Sequence, residues 1–71
     1  MTFFFSIQIS YRDFLSYYQG YVDKVEVKEM GGKTLWIHAR HFRPFLTPSG
    51  LVGNFKLVLD ESGNFQSLTR Q

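Results

Sequence analysis

The residues with the most reactive side chains in this 71-residue chain are His38 and His41, spaced H-x-x-H within the stretch WIHARHFRPFL, residues 36–46. An imidazole can ligate a metal, carry a proton or stack on another ring. On a helix the spacing would put both rings on one face. Here His38 is expected to end a strand and His41 to lie in the turn after it. The chain has no cysteine, and the closest carboxylates along the sequence, Glu29 and Asp60, are far from the pair. Two ligands do not close a zinc site, so no metal and no cofactor is expected.

Other catalytic arrangements are equally thin. There is no G-x-S-x-G elbow and no glycine-rich phosphate loop. Pro48-Ser49-Gly50 reads as turn chemistry. A domain this short leaves little volume for a ligand pocket of about 300–1,000 Å³. The chain is therefore not expected to be an enzyme.

Binding is the stronger expectation. Trp36 and His38 share the outer face of one strand, Arg40, His41 and Arg43 follow directly, and Lys24 and Lys28 lie on the outer face of the neighbouring strand. These seven are the candidate binding residues. Two uses compete. In the first, the domain is a non-enzymatic interaction module for an unknown protein partner or a second copy of itself. Phe4, Trp36, Tyr17, Tyr21 and Val58 would then be exposed apolar positions, with an open edge at the first strand. In the second, a small barrel binds single-stranded RNA or DNA, with bases stacked on aromatics beside cations. Glu26 and Glu29 lie among the same lysines and weaken that case, and no aromatic RNA-binding box is present. The plainest alternative packs Trp36 on the helix or a loop and pairs Arg40 and Arg43 with solvent or with Asp60 and Glu61.

These residues must be held by a fold that the hydrophobic pattern outlines. FFFSIQI, residues 3–9, alternates, with Phe3, Phe5, Ile7 and Ile9 on one side, as in a half-buried strand. The period then changes. Ser10 is suited to cap a helix over residues 11–19, with Asp13 completing a capping-box-like pair and Gly20 ending it. Tyr11, Phe14, Leu15 and Tyr18 would form its inner face. Val25 and Val27 alternate with charges, Gly31-Gly32 marks a hairpin, and Leu35, Ile37 and Ala39 face the core. Pro44 stops the ladder, so RHFRPFL is expected to form a turn pinned by Phe42, Phe45 and Leu46. LVGNFKLVL, 51–59, and FQSLTRQ, 65–71, are two further strands. Gly53 signals a bulge or close approach. Phe65 and Leu68 differ in parity, which requires a bulge or an exposed residue.

The expected architecture is an α+β single domain over residues 1–71, ordered β-α-β-β-β-β. Five short antiparallel strands form a small barrel-like or strongly bent sheet on one short helix, the last four as a meander. Eight Phe, four Tyr and one Trp supply the core of so small a domain. The net charge is +2 and excludes only a strongly acidic chain. The absence of disulfides, of a signal peptide and of a spanning apolar run leads us to expect a cytoplasmic protein with no membrane partner.

The stretch RHFRPFLTPSGLVGNFKL resembles a family of short single-domain gammaproteobacterial proteins of unknown function. The matching residues are Tyr18, Gly20, Ala39, Arg43-Pro44-Phe45-Leu46-Thr47, Gly50, Gly53, Phe55, Asp60, Phe65 and Leu68, so the resemblance spans nearly the whole chain. The RPFLT segment followed by spaced glycines is its most specific part. The resemblance implies no activity and no site residue.

Overall fold

The computed structural model describes residues 1–19 and 23–71; Gly20, Tyr21 and Val22, and the side chains of Tyr18 and Gln19, lie outside the described residues. The expected roles of Tyr18, Gly20 and Tyr21 therefore fall outside them too. Along the chain lie β1 (Thr2–Ile9), α1 (Tyr11–Gln19), β2 (Lys24–Lys28) and β3 (Thr34–His38). Two 3-10 turns follow, Ala39–His41 and Arg43–Phe45, and then β4 (Leu51–Leu59) and β5 (Phe65–Arg70).

The helix starts where the cap predicts. The Asp13 amide donates to Ser10 Oγ at 3.1 Å, which satisfies one donor a helix start leaves unpaired, and the Phe14 amide closes the first helical turn on the Ser10 carbonyl at 2.9 Å. Its inner face agrees with the expected one at Phe14 and departs from it at Tyr11. Phe14 is fully buried and Tyr17 packs on the core, whereas Tyr11 is 43% exposed. Tyr17 is thus not one of the free apolar positions expected, and Val58 is only half-buried.

β2 and β3 form the hairpin, in register from Lys24↔His38 to Lys28↔Thr34. The Glu29 carboxylate holds its loop by accepting the amides of Gly31 and Lys33, each at 2.8 Å. These bonds favour the ionised acid and lower the pKa of Glu29. Gly32 takes φ +93° to complete the turn.

The sheets differ from the meander. β4 pairs with β1 along its whole length, from Thr2↔Val58 to Ile9↔Leu51, and with β5 on its other side. β3 does not pair with β4: there is a three-stranded sheet, β1-β4-β5, and a two-stranded one, β2-β3. The Met30 amide, donating to the Phe4 carbonyl at 2.8 Å, ties β2 to β1. This contact covers part of the edge of β1 that was expected to be open. Passing round the molecule, the strands run β3, β2, β1, β4, β5, and the circle is not closed. The barrel expectation is corrected to two antiparallel sheets with one short helix and two 3-10 turns. The physical reason lies in the turns after β3. They carry the chain away from the hairpin, so that β4 reaches β1 first.

The core is a cluster of phenylalanines. Phe5 and Phe55 face each other across β1 and β4 with ring centroids 5.8 Å apart. Phe42, fully buried, stands edge-on to both, at 6.1 and 5.8 Å. Phe45 reaches Phe55 at 5.1 Å. Such pairs add about 0.5–1.5 kcal/mol each beyond burial. They pin the RHFRPFL turns to the sheet as expected. Leu68 is buried and Phe65 exposed, and the register shifts between Val58 and Leu59, so a bulge and an exposed residue together explain the parity mismatch. No described helix is long and apolar enough to cross a membrane.

Candidate functional site

The incomplete circle leaves a groove where β3 and β5 fail to meet. Its volume is about 490 Å³, and its floor includes Leu35, Ile37, Leu57 and Leu59. The expectation that the domain has no room for such a volume is overturned. A packed core this small has no internal cavity of that size, but two unjoined sheets enclose one between their edges.

Five of the seven expected binding residues line this groove: Lys24, Trp36, His38, Arg40 and His41. Lys28 and Arg43 do not. Lys28 lies at the far end of β2, and Arg43 belongs to the second 3-10 turn. Sequence alternation places Trp36 opposite Leu35 and Ile37, and the structure agrees. Its side chain is at the groove's lip and the residue is 63% exposed. Packing of Trp36 on the helix or a loop is thereby ruled out.

One ring nitrogen of His38 is held by a hydrogen bond and the other lies near a carboxylate. Its Nδ1 accepts the Arg40 amide at 3.0 Å and so caps the first 3-10 turn. Accepting that bond requires a lone pair on Nδ1, which leaves the proton on Nε2. Nε2 lies 3.5 Å from the Asp23 carboxylate. Sequence reasoning missed this partner because it looked for acids near His38 along the chain. The antiparallel register brings Asp23 there instead, since the Ala39 amide donates to the Asp23 carbonyl at 2.8 Å.

His41 closes one end of the groove. Its ring lies flat on Phe65, centroids 3.6 Å apart and planes 8° from parallel. Burial lowers its pKa, and the positive charge of Arg40 acts in the same direction. The two imidazoles are 6.3 Å apart, edge to face. Among the described residues no three His, Cys, Asp or Glu side chains come together as a metal site would require. Phe65 was not among the expected site residues, although its parity mismatch with Leu68 was the signal that it faces outward.

Charge is one-sided. Lys24 and Arg40 line the groove together with both histidines, and no carboxylate lines it. Arg40 is exposed, which fits the solvated form of the plainest alternative rather than its pairing with Asp60 or Glu61. The Asp60 carboxylate is occupied within its own loop by the amides of Asn64 and Ser62, which lower its pKa. The arrangement offers an apolar floor, a cationic rim and an exposed indole.

A family model described as "Protein of unknown function (DUF2835)" matches residues 1–71. No curated protein and no solved structure matches the chain.

Proposed function

The chain belongs to that family of unknown function, and we propose that it is a non-enzymatic binding module whose site is the groove between β3 and β5. One observation carries this reading: residues from four separate stretches, Lys24, Thr34 to His41, Leu57 with Leu59, and Phe65, converge on a single concave surface whose lining bears cations and no carboxylate. Concave apolar surfaces with a few placed polar groups are where proteins bind partners. Aromatic and arginine residues are those interfaces favour. The partner is a protein.

Binding of single-stranded RNA or DNA is the second reading. Trp36 supports it, with its exposed ring beside Lys24 and Arg40. Capture of partners from lysate, with and without nuclease, separates the two. Parallel captures use Arg40→Glu, which reverses one rim charge. The proposal expects nuclease-resistant capture that Arg40→Glu abolishes. Capture lost on nuclease treatment, with steep weakening by salt from phosphate counterion release, would establish the second reading instead. Capture indifferent to Arg40→Glu would remove the groove from both.

A further inference from the structure

We infer that the groove accepts an extended, acidic segment of a partner protein, which adds as a strand in the gap between β3 and β5. The inference rests on the reading of the groove as a binding site and goes further, to the occupant's conformation and charge.

The backbone carries the first part. In an antiparallel pair, alternate residues direct their amide and carbonyl to the partner strand. The Ala39 amide bonds to Asp23 and the Glu29 amide to the Lys33 carbonyl. Odd-numbered residues of β3 therefore face β2. The amides and carbonyls of Thr34, Trp36 and His38 point to the open side, without a backbone partner among the described residues. β5 shows the same alternation. The Gln71 amide donates to the Asn54 carbonyl at 2.8 Å, so Thr69 and Ser67 are the residues bonded to β4. Leu68 and Arg70 then present their backbone groups outward. Two unpaired edges border one groove. Folded domains usually block such edges with charge, proline or a bulge. β5 has its bulge near Val58 and Leu59, but β3 has none of these within Thr34–His38.

The side chains carry the second part. Leu35, Ile37, Leu57 and Leu59 require alternate apolar residues on the strand that covers them. Lys24 and Arg40 at the rim, with no carboxylate on the lining itself, favour acidic residues between them, while Asp23 and Glu26 lie outside the lining beside His38 and Trp36. Strand addition uses edge hydrogen bonds for affinity and alternate side chains for specificity. A nucleic acid would leave the edge amides unmatched, and one face of Phe65 is already covered by His41.

The test uses a blocked peptide of alternating glutamate and valine, about eight residues long to match a strand, added to the whole protein. Controls are the same peptide N-methylated at alternate residues, its lysine-for-glutamate counterpart, and oligothymidylate. The inference expects slowed exchange of the Thr34, Trp36 and His38 amides on binding. It also expects affinity to fall roughly tenfold or more for the N-methylated and the lysine peptides. N-methylation leaves the protein untouched, so folding cannot confuse the result. Equal binding of the N-methylated peptide, or groove shifts without edge protection, overturns strand addition and leaves the groove as a site. Oligothymidylate binding in the groove where the peptide fails overturns the acidic peptide. Self-association that protects the same amides without peptide assigns the gap to a second copy and overturns a separate partner. Absence of any groove response overturns both the inference and the reading beneath it.

Discussion

His41 stacks on Phe65 at 3.6 Å, and this pair joins the turn after β3 to the first residue of β5. It is where the two sheets meet again after separating at the groove. The stack places a titrating group at that end of the groove.

Stability should therefore depend on the protonation of His41. Its folded pKa lies below the ordinary histidine value of 6.5, chiefly through burial. The unfolded chain takes up the proton first. The native state thus keeps its full stability above about pH 6.5 and loses it progressively as pH falls below that value. Thermal unfolding at pH 7.5 and pH 5.5 should show a larger drop in Tm for the native chain than for His41→Gln, since that variant has no imidazole to protonate. Equal drops would show that His41 does not titrate differently on folding.

Trp36→Ala should leave the fold intact, with a stability change within about 1 kcal/mol, as for an exposed side chain with no named packing role. The residue is 63% exposed, and its contribution to the ladder is through the backbone. Chemical denaturation checks this. A loss of several kcal/mol would place the indole in the core.

Gly50 and Gly32 both have positive φ, at +107° and +93°, yet alanine should affect them unequally. At Gly32 a Cβ meets nothing within 4 Å, so the cost is that of the left-handed backbone alone, about 1–2 kcal/mol. At Gly50 the Cβ would overlap the Ile9 carbonyl oxygen and come within 2.9 Å of the Tyr11 nitrogen. Both belong to backbone that cannot move without disturbing the start of the helix. Gly50→Ala should cost clearly more, roughly 3 kcal/mol or above. Urea midpoints of the two variants give the comparison directly.

Which residues point inward was legible in the sequence, because a strand's alternation records its two faces. Val25, Val27, Leu35, Ile37, Ala39, Leu51, Phe55 and Leu57 are all buried as their parity requires. The helix was less legible. With Tyr11, Phe14, Leu15, Tyr17 and Tyr18 in nine residues, several faces fit the apolar pattern equally well, and among the described side chains packing sets Phe14 and Tyr17 against the core. The pairings across short turns, β2 with β3 and β4 with β5, were legible, but the long-range pairing of β1 with β4 was not, since alternation does not say which distant strands lie side by side. The groove escaped for the same reason. Its residues, from Lys24 to His41, could be named from their types, but the gap exists only because β4 joins β1 and leaves β3 with a free edge. Phe65 and Asp23 entered the site through register, which no local spacing reveals.

The central claim is that the edge of β3 facing β5 is unpaired. Hydrogen exchange of backbone amides in the free protein tests it most directly, because an edge strand protects only the residues bonded to its one neighbour. The account predicts alternation along β3: slow exchange at Leu35, Ile37 and Ala39, and fast exchange at Thr34, Trp36 and His38. Uniformly slow exchange across Thr34–Ala39 would show that β3 is paired on both sides, and the groove and everything assigned to it would be contradicted.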